Sequence, residues 1–190
     1  MSADVITEAT QYLTFSLGEE DFALEIAKVR EVLDYTNITK VPRMPEFLRG
    51  VINLRGNVVP VTDLRLKLGM SATERTVNTC IVIVEIDVDG DLMDMGVLTD
   101  SVQAVLDLDP DQIEPPPKLG TKLNTEFIRG MGKRDDRFLI ILDIDKVLSS
   151  DELAAVQSTG SGLAFDPKEL SETEAILEVG GQEPIEKAEA

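Results

Sequence analysis

Hydrophobic residues recur at every second position, or in short runs rich in valine and isoleucine, in eight segments of the chain. Both patterns are typical of β-strands, and turn residues such as the Asp89-Gly90 pair separate the segments. Because these turns are short, we expect neighbouring strands to pair as hairpins. The predicted strands are residues 11–17, 21–25, 51–54, 57–63, 78–86, 92–98, 102–107 and 138–143.

Helical periodicity is sparse along the chain. Ile26, Val29 and Leu33 recur at spacings of three and four residues, which predicts a short first helix. Ser150, followed by two acidic residues, is typical of a helix N-cap and predicts a short terminal helix at residues 151–157. Many closely spaced strands with few helices indicate small barrels or a sandwich and argue against a doubly wound α/β sheet. The predicted fold is therefore mostly β, and small β-barrels are the favoured form.

The charge of the chain excludes two classes of partner. The sequence holds 36 acidic and 18 basic residues, a formal net charge of −18, and a field of that sign repels nucleic acid and anionic membranes. Residues 151–190 alone carry ten acidic and two basic residues. From residue 158 onward the chain is also poor in aromatic residues and rich in Glu and Gly, so it cannot bury enough surface to offset the entropy of ordering. We predict a disordered acidic tail at residues 158–190.

The residue types that are missing exclude much chemistry. Without histidine there is no phospho-accepting histidine, no histidine general base and no histidine metal ligand. The single cysteine, Cys80, lies in an apolar run, which indicates a buried small side chain and argues against a soft-metal site. Neither GxxxxGK[ST] nor GxGxxG occurs, so nucleotide binding has no support. We expect no cofactor and no metal. The chain also has no signal peptide and no run of about 18 apolar residues, which predicts a cytoplasmic protein.

Two segments resemble functional motifs without completing them. Residues 87–91, Asp-Val-Asp-Gly-Asp, look like the start of a calcium loop, but positions 92 and 98 hold leucine where the loop needs glycine and glutamate. We predict a plain hairpin turn there. Residues 138–143 look like the strand that carries the phosphorylated aspartate of a receiver domain. The acidic pair, lysine and alternating helices of a receiver do not accompany that strand, so we expect Asp143 at the exposed end of a barrel strand.

One stretch of the chain is specific enough to indicate a family. Residues 50–65, Gly-Val-Ile-Asn-Leu-Arg-Gly-Asn-Val-Val-Pro-Val-Thr-Asp-Leu-Arg, resemble the central GxxNLRGxxxPVxDLR motif of the CheW family. Residues 11–18 are similar to the opening strand of that family, and residues 26–33 to its first short helix. The segments 96–102 and 127–148 continue the match.

The resemblance implies both a fold and a function. It covers about residues 10–157 and implies two five-stranded SH3-like β-barrels packed side by side, with a boundary near residues 76–80 and a flexible N-terminus at residues 1–9. It also implies a non-catalytic adaptor that couples chemoreceptors (methyl-accepting chemotaxis proteins) to the regulatory domain of a CheA-type histidine kinase, in receptor arrays at the inner membrane. The same fold occurs in CheA itself and in CheV, but the kinase domains of the first and the receiver of the second have no counterpart here.

Two sets of residues match the binding positions of the family. The resemblance implies that the receptor tip lies in a groove between the barrels, at Val29, Gly50, Arg55, Val102 and Val105. It implies that the kinase meets Glu31 and Val32 on the first helix, and Glu114 and Leu119 beside the proline segment.

The same residue types also have simpler structural explanations. Gly50 suits a positive φ or a close backbone approach, and a valine is ordinary barrel core. Arg55 can clamp a nearby carboxylate, such as Asp63 across the hairpin, or face a partner.

Two other functions remain open from the sequence. One is a CheW-like scaffold for a kinase pathway that controls motility or development. The other is a carboxylate-dependent enzyme, which would use acids among Asp135, Asp136, Asp143 and Asp145. Those acids lie close to basic residues in and around a polar turn, for which a solvated loop is the default interpretation.

Overall fold

Eleven β-strands in two sheets make up most of the structure, a computed structural model that describes residues 8–116 and 125–148. All of these residues belong to one compact unit, Met1–Leu153. The strands are β1 Thr10–Leu17, β2 Glu20–Glu25, β3 Val29–Asp34, β4 Leu48–Leu54, β5 Asn57–Asp63, β6 Cys80–Val88, β7 Asp91–Thr99, β8 Ser101–Leu108, β9 Ile113–Glu114, β10 Ile128–Arg134 and β11 Arg137–Leu142.

Helices are few and short in the described ranges. Two are α-helical, α1 Leu64–Lys67 and α2 Ile144–Val147, and three are 3-10 turns, Ile26–Lys28, Pro110–Gln112 and Thr125–Phe127. Within the described residues, no helix has the length and apolar character needed to cross a membrane. The predicted terminal helix at 151–157 and the predicted tail at 158–190 lie outside the described residues.

The chain crosses from one sheet to the other twice. The first sheet has six strands in the order β8-β1-β2-β11-β10-β9, and the second has five in the order β3-β6-β7-β5-β4. The chain therefore leaves the first sheet between β2 and β3 and returns between β7 and β8. The predicted boundary near residues 76–80 does not separate the sheets, because those residues join two strands of the same sheet. The prediction of a mostly β fold in two parts with a few short helices is confirmed.

Three groups of buried side chains form the core. The largest takes residues from both sheets, such as Phe15 and Val84. The second belongs to the first sheet and contains Tyr12, and the third belongs to the second sheet and contains Ile83. Strand β6 contributes alternate residues to the first and third groups, so it is buried on both faces. This explains why residues 80–84 of the strand are an uninterrupted apolar run.

The predicted first helix at residues 26–33 is wrong. Its first three residues form a 3-10 turn, and the remainder belongs to strand β3. Exposure alternates along β3, with residues 29, 31 and 33 half-buried and the residues between them exposed. Apolar residues at 29 and 33 fit a strand face as well as a helix face, and pairing with β6 decides between them.

Strand β10 was not predicted, because Gly130 and Gly132 interrupt its apolar pattern. A β-carbon on Gly130 would lie 2.7 Å from Cγ2 of Ile113, so glycine is what allows β9 to approach β10. Gly130 thus weakens the strand signal in the sequence, yet the sheet requires a glycine at this position.

Candidate partner-binding surfaces

Arg55 lies in the two-residue turn between β4 and β5. Arg55 and Gly56 have positive φ values of 52° and 86°, and the amide of Gly56 donates to Oδ1 of Asn53 at 2.8 Å. The guanidinium of Arg55 donates to both carboxylate oxygens of Glu31, at 2.8 and 2.9 Å. The Arg55 side chain is 74% exposed and that of Glu31 25%. A bidentate ion pair therefore joins the turn to strand β3.

The carboxylate that clamps Arg55 is not Asp63, the example that the sequence suggested for one of the two alternatives. Asp63 is the N-cap of α1, where its side chain accepts from the amides of Arg65 and Leu66. That role orients the carboxylate toward the helix and fixes its hydrogen bonds. The intramolecular clamp exists, but Glu31, 24 positions before Arg55, provides the carboxylate.

Glu31 and Val32 lie on β3, so they point to opposite faces of the second sheet. Glu31 is half-buried in the ion pair, whereas Val32 is 41% exposed. Arg30, also on β3, pairs with Glu85 of the neighbouring strand β6. A pocket of ≈ 300 Å³ lies beside the ion pair and is lined by Arg30, Glu31, Leu54, Arg55, Asn57, Val59, Ile83 and Asp94.

Gly50 is buried in β4 and has a structural reason to be glycine. Its φ is +140°, and a β-carbon would lie 2.1 Å from the carbonyl oxygen of Thr39. Thr39 exchanges two backbone hydrogen bonds of 2.9 Å with Val51, the next residue of β4. The connection after β3 is therefore held against the outer edge of β4, and a side chain at position 50 would displace it.

The three predicted valines differ in exposure. Val29 on β3 and Val102 on β8 are half-buried and pack against the core group that takes residues from both sheets. They belong to different sheets, as the predicted groove between the two parts requires. Val105, further along β8, is 49% exposed.

Glu114 ends strand β9, where it is exposed and forms an ion pair with Lys133 of β10. Leu119, the residue predicted to act beside it, lies outside the described residues. The predicted kinase-binding residues thus fall on two strands in different sheets, β3 and β9.

The carboxylates considered for catalysis do not form one site. Asp135 and Asp136 make the exposed turn between β10 and β11, whereas Asp143 caps α2 at the far end of β11. Six residues of strand separate them, roughly 20 Å. Asp145 pairs with Lys28 at 2.7 Å and is also engaged in a backbone hydrogen bond. In the ranges that the structure describes, no three His, Cys, Asp or Glu side chains are grouped as metal ligands would be.

The segment 87–91 forms a hairpin turn, as predicted. Val88 pairs with Asp91, and the two turn residues Asp89 and Gly90 have φ values of 56° and 92°. The side chain of Asp87 accepts from the amide of Gly90 at 2.8 Å, which closes the turn. Cys80, at the start of the same hairpin, was predicted to be buried. The structure shows it only half-buried.

The sequence did not indicate one further polar network. Arg65, the last residue of the motif, binds Asp100 at 2.6 Å and the carbonyl oxygen of Ser71 at 2.8 Å. The same Asp100 oxygen accepts from the amide of Gly18 at 2.7 Å. The network ties the α1 region of the second sheet to the β1–β2 turn of the first. Its members are far apart in sequence, and no local pattern could have linked them.

Comparisons with known proteins agree with this arrangement. The family described as the CheW-like domain matches residues 11–152. The chain is 37% identical over 152 residues to the chemotaxis protein CheW of Klebsiella aerogenes, covering 80% of this chain and 89% of that protein. It is 32% identical over 158 residues to the chemotaxis protein CheW of Rhizobium meliloti, covering 79% and 99%.

A solved structure is similar as well. The crystal structure of the scaffolding protein TtCheW from Thermoanaerobacter tengcongensis matches with a TM-score of 0.68 and 37% sequence identity. The match covers 76% of this chain and 95% of that one. The likeness therefore extends over nearly all of that scaffold.

Proposed function

The chain belongs to the CheW family, and we propose that it is a non-catalytic adaptor that couples chemoreceptors to a CheA-type histidine kinase. The relatives described above are named as chemotaxis proteins, and the similar crystal structure is titled a scaffolding protein. These names favour chemotaxis over a motility or developmental pathway. They also favour a scaffold over an enzyme. We further propose that the adaptor acts in the cytoplasm, at receptor arrays on the inner membrane.

The observation that carries the proposal is the ion pair between Arg55 and Glu31. Arg55 is assigned to the receptor and Glu31 to the kinase, so the pair lies where the two proposed surfaces meet. Because Arg55 and Glu31 contact each other, the receptor and the kinase would bind next to each other on the second sheet. Two exposed apolar side chains, Val105 of β8 for the receptor and Val32 of β3 for the kinase, supply the anchors that such interfaces need.

We propose that the receptor tip contacts Val29, Gly50, Arg55, Val102 and Val105. Val29 and Val102 form the apolar floor of this surface, while Gly50 keeps the connection at Thr39 close to β4. The proposed contacts with the kinase regulatory domain are Glu31, Val32, Glu114 and Leu119. No residue is assigned to catalysis, because the candidate carboxylates lie at opposite ends of β11, and Asp143 and Asp145 are already engaged.

Binding assays with each partner alone test the two surfaces separately. Val105→Asp should weaken binding to a chemoreceptor cytoplasmic fragment, and Val32→Asp should weaken binding to the kinase regulatory domain, because each buries a charge in an apolar contact. Val58→Asp, at an exposed valine of β5 outside both surfaces, is the matched control and should bind both partners as the wild type does.

A reconstituted mixture tests the coupling itself. Receptor, kinase and the wild-type chain together should show receptor-controlled kinase activity, and either aspartate variant should reduce it. If the wild-type chain binds neither partner, or takes up phosphate from the phosphorylated kinase, the adaptor proposal is wrong.

A further inference from the structure

Part of the chain is repeated at an offset of 80 residues. Residues 46–50, Glu-Phe-Leu-Arg-Gly, recur as residues 126–130, Glu-Phe-Ile-Arg-Gly. The structure repeats in the same way, since β4, β5 and α1 correspond to β10, β11 and α2, and both hairpins have a register shift just before the last glycine of the repeated segment. Each helix follows a capping aspartate, Asp63 or Asp143. Helices α1 and α2 are therefore equivalent elements, one after β5 of the second sheet and one after β11 of the first.

The second residue of each helix forms an ion pair with a point where the chain crosses between the sheets. Arg65 of α1 pairs at 2.6 Å with Asp100, the single residue between β7 of the second sheet and β8 of the first. Asp145 of α2 pairs at 2.7 Å with Lys28, which ends the 3-10 turn that leads from β2 of the first sheet to β3 of the second. We call these two contacts the crossing pairs. They occupy the same position of the repeat, with the charges exchanged.

One carboxylate of each crossing pair also binds a backbone amide that belongs to the other sheet. Asp100, which is paired with α1 beside the second sheet, accepts from the amide of Gly18 in the β1–β2 turn of the first sheet at 2.7 Å. Asp145, which follows the first sheet, accepts from the amide of Asp87 in β6 of the second sheet at 3.1 Å. The four side chains of the crossing pairs are between 15% and 35% exposed, so water screens them less than it screens a pair at the open surface. Charge-assisted hydrogen bonds of this kind tie one sheet to the other at both crossings.

Both crossings lead into the proposed receptor surface. Lys28 directly precedes Val29, and Asp100 lies two residues before Val102. The two valines belong to different sheets and pack against the same core group. The distance between these two apolar contacts therefore depends on how the sheets are held relative to each other.

We propose that the crossing pairs position the receptor surface, because by fixing the two sheets they hold Val29 and Val102 at the separation that the chemoreceptor requires. The choice of partner rests on the proposed function. A group that positions other residues acts through geometry and need not touch the ligand. The exchanged charges of the two pairs agree with this role, since joining a helix to a crossing needs a complementary pair but no particular sign at either end.

Equilibrium binding of a chemoreceptor cytoplasmic fragment to the full chain tests the proposal. Arg65→Gln and Lys28→Gln should each weaken binding about three- to tenfold. The salt dependence of binding should stay that of the wild type, because neither side chain touches the receptor. Arg137→Gln is the control with unchanged affinity, since its ion pair with Asp21 joins two strands of the same sheet. If Arg65→Gln does not fold, Lys28→Gln, whose pair is more exposed, still gives the measurement.

A distance measurement tests the geometry without any partner. Spin labels on Gln11→Cys of β1 and Val58→Cys of β5, in a Cys80→Ser background, report the separation of the two sheets from exposed positions. The distribution of distances should broaden in Arg65→Gln and Lys28→Gln and should stay narrow in Arg137→Gln.

The proposal is wrong if the folded glutamine variants keep the narrow distance distribution, or if they bind the receptor fragment as tightly as Arg137→Gln does. A loss of affinity accompanied by a weaker salt dependence would also contradict it, because that result indicates direct contact with the receptor. Failure of the wild-type chain to bind any receptor fragment would instead contradict the adaptor function, and the spin-label distances would still decide whether the crossing pairs fix the sheets.

Discussion

Arg55 combines an unusual backbone conformation with a bidentate contact. Its φ of 52° is one that few residues other than glycine and asparagine adopt, and its guanidinium is fixed on Glu31. Because the arginine is mostly exposed, the pair contributes little to stability, about 1 kcal/mol or less. We therefore expect the two side chains to matter more for the proposed partner contacts than for stability.

Charge exchange at this pair separates stability from binding. Arg55→Glu places two like charges together and should cost about 1 kcal/mol of unfolding free energy while strongly weakening receptor binding. The double variant Arg55→Glu/Glu31→Arg should recover the stability, measured by thermal melting, because the pair is restored with reversed sign. Receptor binding should not recover. Wild-type affinity in folded Arg55→Glu would remove Arg55 from the receptor surface.

Gly50 is the position where we expect the largest effect of a single methyl group. Gly50→Ala brings a β-carbon against the Thr39 carbonyl oxygen and adds strain at φ +140°, so it should destabilise the protein by about 3 kcal/mol. Gly69→Ala is the control, since Gly69 has φ +78° but nothing within 4 Å of its β-carbon, and it should cost about 1 kcal/mol. Denaturant unfolding gives both values. Equal effects would mean that the close contact with Thr39 costs nothing.

At the scale of single residues, the sequence predicted backbone conformation better than side-chain contacts. The need for glycine at position 50 follows from its type and is confirmed by its φ and its neighbour. The sequence suggested Asp63 as one possible carboxylate for Arg55, but the observed pair with Glu31 depends on how β3 lies against the β4–β5 turn. No local spacing contains that information.

Among the elements, strands with alternating or continuous apolar residues were predicted, and strands with unusual composition were not. All eight predicted segments overlap strands of the structure, including 57–63 with identical bounds. Strand β3 was wrongly predicted as a helix, and β10 was missed because of its glycines. Both misses have a tertiary cause, since pairing with a neighbouring strand overrides the local pattern.

The network around Arg65 is the contact between elements that we expect to matter most for stability. Arg65→Met should cost about 2–3 kcal/mol of unfolding free energy, because a largely buried charged hydrogen bond is lost and Asp100 keeps only its bond from Gly18. Lys146→Met breaks an exposed pair with Asp143 and, as a control, should cost about 0.5 kcal/mol or less. If chemical denaturation shows the same small loss for both, the Arg65 network does not hold the elements together.

On the scale of the whole molecule, the sequence predicted the class of fold but not the path of the chain. Hydrophobic periodicity predicted a mostly β protein and the family resemblance implied two parts, whereas the exchange of strands between the sheets leaves no trace in that periodicity. The predicted disorder of residues 158–190 stays a prediction, and it has a direct consequence. Truncation after Ser158 should leave the melting temperature nearly unchanged, because so polar a segment offers few contacts to lose. A fall of many degrees in a calorimetric scan would contradict it.

The path of the chain between the sheets also sets an order for folding during synthesis. The five strands of the second sheet are contiguous, from Val29 to Thr99, so the ribosome delivers all of them before the first sheet can be completed. The first sheet must wait for β11, whose parallel pairing with β2 joins residues more than 110 positions apart. We expect the second sheet to form early and β1 and β2 to remain unpaired with β11 until translation is nearly finished. Premature release of the chain before residue 142 would therefore leave the inner strand β2 with an open edge.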